Sequence, residues 1–234
     1  MTDRPVALVT AASRGIGAAC ARELARRGYR LALLARSEGL QDLARELDAV
    51  SVTGSVSEAA DLERLVAAAV ERFGRVDAVV NNTGHPAKGD LLGIADADWE
   101  AGVDLVLLSV VRLARLVTPH FLRQGGGAIV NVSSLWAVEP QLDAPVSSTL
   151  RASLSAFTKL YADRYAKDRI RMNCLLAGFV STYPVPDKFF QAIPMARVAA
   201  PEEIARVAAF LLSPDAGYIT GQSVRSDGGL TRSF

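Results

Sequence analysis

Cysteine and histidine are scarce, with two of each in 234 residues: Cys20 and Cys174, His85 and His120. So few ligands, scattered along the chain, exclude a metal cluster and a disulfide framework; two buried free thiols in a reducing compartment are expected. An excess of one charge is lacking too, because 26 Lys and Arg nearly cancel 25 Asp and Glu, leaving a net +1. Such a surface exerts no polyelectrolyte attraction, which sets nucleic acid aside as a partner. No apolar run approaches the ~18 residues of a membrane span, and no basic segment followed by an apolar one opens the chain. No membrane association, and a soluble cytoplasmic protein, are expected. Repeats, low-complexity tracts and linkers are also missing from the sequence. What is present, 50% hydrophobic and 22% charged residues, is ample for one compact α/β domain over residues 1–234.

The most informative stretch runs from Val6 to Gly28. Val6–Val9 is a short apolar run with a β-branched bias, bounded by Pro5 and small residues, and predicts a buried strand. From Gly17 the pattern changes to Ala18, Ala21, Leu24 and Ala25 on one face and Arg22, Glu23, Arg26 and Arg27 on the other, which is helix spacing closed by Gly28. Strand, small-residue loop and helix together aim backbone N–H groups and a positive helix terminus at an anion, typically a dinucleotide pyrophosphate.

The rest of the chain alternates in the same way. Strands are expected at Arg30–Ala35, Val50–Thr53, Val76–Val80, Ala128–Val132, Arg169–Leu176 and Gln222–Ser226. Helices are expected at Ala59–Phe73, Asp96–Arg123 (as one long helix), Pro145–Lys167 and Pro201–Leu212, the last with Pro at its start and Glu202 and Glu203 in its first turn. Strands alternating with helices predict a three-layer, doubly wound parallel sheet of about seven strands with helices on both faces.

Five motifs in order carry a family resemblance: Thr10–Gly17, Asn81-Asn82-Thr83-Gly84, Ile129–Ser134, Gly178–Thr182, and Tyr218–Gln222 with Asp227-Gly228-Gly229. On these, nearly end to end, the chain resembles the short-chain dehydrogenase/reductase family, close in pattern to bacterial 3-oxoacyl-carrier-protein reductases. The resemblance implies a Rossmann-type fold, a nicotinamide cofactor and a small-molecule carbonyl or alcohol substrate. It also implies a homo-oligomer, dimer or tetramer, paired through the two long helices, where Leu105, Leu108, Ala156 and Leu160 are apolar beyond one core-facing stripe.

For the cofactor, the resemblance implies contacts from Thr10, Ser13, Arg14, Gly15, Ile16 and Gly17, from Ser55 and Val56 beneath the adenine, from Asn82 and Gly84 at the ribose, and from Thr182 at the carboxamide. Ser55 stands where the family usually has Asp. Eighteen residues beyond Gly17, where an acid would bond the ribose 2′-hydroxyl, the chain has Ala35 and then Arg36. Arg36 and Arg14 suit a 2′-phosphate through charge-assisted bonds, so NADP(H) is expected over NAD(H). Ala11 replaces the family's glycine; an alanine costs about 1–2 kcal/mol in a left-handed conformation and almost nothing in a right-handed one, and it is expected to be tolerated.

Family members carry a catalytic Asn, Ser, Tyr and Lys. Counting from Trp99, these positions hold Val106, Ser134, Ser147 and Arg151, so only the serine survives. Tyr161 and Tyr165 lie about 21 and 27 Å further along the helix axis and do not reach. Ser147 is far less acidic than a phenol and Arg151 does not deprotonate to activate it, although as a permanent cation it can hold ribose hydroxyls. Halohydrin dehalogenases also carry Arg for the Lys, but they keep the tyrosine and lose the cofactor loop, the reverse of this chain. Near the expected pocket, His85 reads first as a loop residue, Trp136 as an apolar wall and Tyr183 as lid packing; water, a reactive substrate, His85 or Tyr183 are the alternative sources of the proton. Two classes of function stay open: an oxidoreductase with a non-standard proton donor, and a redox-silent cofactor-binding sensor or structural subunit.

Overall fold

The computed structural model describes residues 4–233. Seven parallel strands form one sheet in the order β3-β2-β1-β4-β5-β6-β7: β1 (Val6–Thr10), β2 (Arg30–Ala35), β3 (Val50–Thr53), β4 (Ala78–Asn81), β5 (Gly127–Ser134), β6 (Ile170–Ala177) and β7 (Ser223–Ser226). The order reverses between β1 and β4, which opens a crevice at the carboxyl ends of those strands. Every residue of β1 is buried, as a strand covered on both faces requires.

One face is covered by α1 (Gly15–Arg26), α2 (Gly39–Leu47) and α8 (Pro201–Leu212), around Leu24, Leu33, Leu40 and Ile204. The other is covered by α3 (Ala59–Phe73), α5 (Ser109–Gln124) and α6 (Pro145–Tyr165), around Leu8, Leu62, Leu113 and Phe121. The two cysteines are buried and free, and burial pushes the Cys20 thiol up to about 12. Arg171 of β6 donates to the carbonyls of Leu211, Leu212 and Ser213. It is a cation at the last carbonyls of α8, which have no partner further along the helix.

Most strand and helix ends lie within one or two residues of the sequence-based expectation, and the larger differences have local causes. The strand expected at Val76 begins at Ala78, because Val76 is held by the Gln124 side chain, whose amide accepts from its N–H and donates to its carbonyl. The first helix starts at Gly15 rather than Gly17. Helix α2 was not singled out by pattern; it has nine residues and no side-chain cap, so its local signal is weak despite buried Leu40, Leu43 and Ala44.

The helix expected over Asp96–Arg123 is broken into α4 (Asp96–Val103), a π-turn (Asp104–Leu108) and α5. Within that turn Ser109 Oγ donates to the Leu105 carbonyl at 2.8 Å, and the Asp104 carboxylate pairs with Arg112 at 2.7 Å. Side chains thus hold an extra residue in the helix, and such bulges cluster at functional sites.

Candidate active site

The loop after β1 is a braced turn. Thr10 Oγ1 donates to the Asn82 carbonyl at 2.7 Å and accepts from its N–H at 2.9 Å, tying β1 to the end of β4 across the crevice. A Cβ on Gly17 would overlap the Ala11 carbonyl oxygen, so only glycine lets α1 start this close to the turn. Arg14, the residue preceding α1, makes no side-chain cap bond, and no acid lies in the first turn. The leading N–H groups and the positive helix end therefore face the crevice without an internal anion.

Ala11 has φ +45°. It is left-handed, so of the two costs the larger, about 1–2 kcal/mol, applies, and the fold tolerates it. Ala11→Gly is expected to stabilise the protein by about 1 kcal/mol, read as a raised midpoint in thermal or urea unfolding; an unchanged midpoint contradicts it.

At the end of β2, Arg36 is exposed, as is Arg14 in the loop after the neighbouring β1, and among the described residues neither forms an ion pair. Ser37 Oγ donates to Ser13 Oγ at 2.7 Å between these two positions. Ser37 escaped the sequence reading; its only signal was a hydroxyl directly after Arg36. Ser55 Oγ accepts from the Ser57 N–H, while its backbone N–H is taken by Asp61. Val56 is buried and lines a small cavity with Thr10 and Asn82. The Thr182 methyl lies 3.0 Å from the Cβ position of Gly15, which brings the segment after β6 over the loop.

Beyond the loop, a buried polar chain crosses the sheet. Asn81 Nδ2 donates to Asn131 Oδ1 at 2.8 Å, Asn131 Nδ2 to Thr158 Oγ1 at 2.9 Å, and Thr158 Oγ1 lies 3.2 Å from Cys174 Sγ. Ser134 closes β5 with its Oγ accepting from the Trp136 N–H at 3.3 Å, which leaves its own proton free to donate. Ser147 and Arg151 occupy successive turns of α6 and are both 5% exposed. Arg151 donates through Nε to Ser147 Oγ at 3.2 Å and through Nη1 to the Val132 carbonyl at 3.1 Å. Both acceptors are neutral, and no ion pair to Arg151 occurs among the described residues. Burial pushes its pKa down to about 10, so it stays charged at neutral pH.

The cavity behind Arg151 measures about 10 Å³, room for about one water, and is lined by Thr10, Asn82, Thr83, Val106 and Ser109 as well. Val106 projects into it from the π-turn and is 1% exposed. Thr83 Oγ1 is buried without a hydrogen-bond partner in the described structure, a feature the motif Asn81–Gly84 did not reveal. Tyr161 faces away into the core: its hydroxyl lies 2.6 Å from Thr118 Oγ1, and burial pushes its pKa up to about 12. Trp136, Phe179 and Phe189 of α7 (Asp187–Phe190) stack into an aromatic wall with centroids 5.1–6.2 Å apart. Among the described residues no group of three or more His, Cys, Asp or Glu is placed to hold a metal, and no helix is long and apolar enough to cross a membrane.

A doubly wound parallel sheet with a glycine loop at its switch point defines a dinucleotide-binding class. Residues 10–231 match the sequence profile of the family described as enoyl-(acyl carrier protein) reductase. The bovine dehydrogenase/reductase SDR family member 4 is 35% identical, with 97% of this chain and 87% of that protein covered. The 3-oxoacyl-[acyl-carrier-protein] reductase of Synechocystis is 34% identical over 96% of both chains. The L-sorbose reductase of Gluconobacter frateurii, solved with NADPH and L-sorbose, superposes with a TM-score of 0.91 at 30% identity, covering 99% of this chain and 98% of that one. An actinorhodin polyketide ketoreductase variant solved with NADPH gives 0.92 at 32%, covering 100% and 99%. The chain belongs to the short-chain dehydrogenase/reductase family.

Proposed function

We propose that this protein is an NADP(H)-dependent oxidoreductase acting on a carbonyl or alcohol substrate through an atypical site in which Ser147 and Arg151 stand at the family's tyrosine and lysine positions. The observation that carries the cofactor half is the α1 N-terminus, uncapped by any side chain and approached closely only because Gly17 lacks a Cβ. These residues fit a bound dinucleotide. The amides of Ser13 to Gly17, with Thr10 bracing the turn, hold the pyrophosphate; Arg14 and Arg36 hold a 2′-phosphate; Ser55 and Val56 meet the adenine. Asn82 and Gly84 line the nicotinamide ribose, Arg151 bonds its hydroxyls, and Thr182 holds the carboxamide. When bound, NADP(H) supplies or accepts a hydride. Ser134 and Ser147 keep hydroxyl protons free to orient the substrate oxygen, since each accepts its internal bond rather than donating it.

The redox-silent reading is favoured by one observation: Val106, Ser147 and Arg151 are all buried and none is a proton donor tuned near neutral pH. NADPH titration followed by consumption over a ketone panel separates the two. Tight binding with consumption supports the oxidoreductase; tight binding with none supports the sensor or subunit.

The chain is further proposed to form a homo-oligomer, a dimer or tetramer. Leu160 on α6 is 69% exposed and Leu122 on α5 is 47% exposed, while Leu105 and Leu108 are half-buried and Ala156 is exposed. Light scattering is expected to give a multiple of 24.9 kDa; a single monomeric mass contradicts it.

A further inference from the structure

His85 and Tyr183, far apart in the chain, meet edge to face with ring centroids 5.2 Å apart. Two packing relations locate the pair. Tyr183 follows Thr182, whose methyl rests over Gly15 of the glycine loop. His85 precedes Pro86, which borders Gly102 together with Val146 and Leu150 of α6, and Ser147 is the next residue after Val146. These neighbours put the imidazole on the side of the site where the Thr182 segment and the start of α6 approach each other, within reach of the Arg151 charge. It is surface-accessible, and the charges acting on it are those of Arg151 and Lys88. The other histidine, His120, lies on α5 beside Arg123 and takes no part.

We propose that His85 is the proton-transfer group of this site, in place of the phenol that Ser147 does not supply, and that Tyr183 is the positioning residue for its ring. The proposal rests on the oxidoreductase reading. In reduction, the carbonyl carbon would gain the hydride that NADPH supplies when bound, the C=O π pair would move to oxygen, and that oxygen would take the proton of the His85 imidazolium. Neutral imidazole is left and regains a proton from water. In oxidation, the neutral ring accepts the alcohol proton as hydride leaves carbon for the nicotinamide.

Desolvation of the ring, then the Arg151 and Lys88 charges, lower the His85 pKa from 6.5. The acid form is thus a minority at neutral pH. Reduction should slow about tenfold per pH unit above that pKa, while oxidation rises with pH and levels off above it.

The test follows both directions from about pH 5 to about pH 8, with NMR titration of the His85 ring in the protein without cofactor as a readout independent of activity. His85→Gln is expected to lose about 10²–10⁴ in rate together with the pH dependence, with NADPH affinity unchanged. Tyr183→Ala should lower kcat and move the profile, and Tyr183→Phe, which keeps the ring, should restore both. The wild-type ring should titrate below 6.5 and move upward in Arg151→Met. Wild-type rate and profile in His85→Gln would overturn the proposal and leave the oxidoreductase reading standing. NADPH binding without consumption at any pH in wild type removes both together.

Discussion

Wild-type protein supplied with NADPH at neutral pH is expected to reduce ordinary ketones and β-ketoacyl thioesters slowly, and Ser147→Tyr with Arg151→Lys is expected to raise that rate. Losing a positioned acid typically forfeits about 10²–10⁴ in rate. On the proposed assignment of the site the acid, its lysine partner and the relay asparagine are replaced together, and such losses do not multiply because the groups act as a unit. The geometry explains why the two substitutions belong together. The Arg151 guanidinium sits 3.2 Å from Ser147 Oγ and is buried with it, so its planar fork fills space a phenol needs. Ser147→Tyr alone should therefore lower stability without gaining rate, and Arg151→Lys should relieve it, a coupling that a double-mutant cycle measures. Val106→Asn, added third, places an amide in the cavity behind Arg151 and should raise the rate further. In the double variant His85 should become dispensable, since a phenol then donates the proton. Steady-state NADPH consumption checks each step; ordinary enzyme rates in wild type across a broad panel would show that catalysis was never weakened.

The second large effect concerns cofactor choice. NADP(H) should bind more tightly than NAD(H), and Arg36→Ala should erase most of the difference while leaving NAD(H) affinity unchanged. A charge-assisted bond is worth about 1.5–3 kcal/mol, or about one to two powers of ten in affinity. Arg36 and Arg14 are both exposed, so the effect should shrink as salt rises. Arg14→Ala with Arg36→Ala should lose more than either alone, and Ser37→Ala should give a smaller loss through the Ser13–Ser37 contact. Equal affinities for the two cofactors, untouched by these changes, would contradict the assignment.

Local chemistry was enough for the alternation of the fold. Val6–Thr10 is a buried strand because a short β-branched run followed by small residues allows little else, and Pro201 with Glu202 and Glu203 marks a helix start wherever it lies. The glycine loop was legible for the same reason: its course is a matter of backbone, and the backbone is dictated by which residues lack side chains. Where a short helix drew its stability from packing, as with Leu40, Leu43 and Ala44 in α2, the pattern was too brief to stand out.

By itself, then, the sequence determined the seven strands and most of the helices between them, the helix that starts from the glycine loop, the want of an acid at Ala35, and the serine and arginine at positions 147 and 151. Each depends on neighbours within a few residues. The tertiary structure alone decided that Ala11 is left-handed, since the turn is set by Thr10 bonding to Asn82 across the sheet. It decided that the long helix bulges at Val106, and that Arg151 spends its bonds on Ser147 and the Val132 carbonyl with no carboxylate among the described residues. It alone brought His85 against Tyr183. Three of these features join segments distant in the chain, and contacts of that kind arise from packing, which no local periodicity encodes; the bulge rests on the nearby pairs Ser109–Leu105 and Arg112–Asp104, which the apolar stripe of the helix does not reveal.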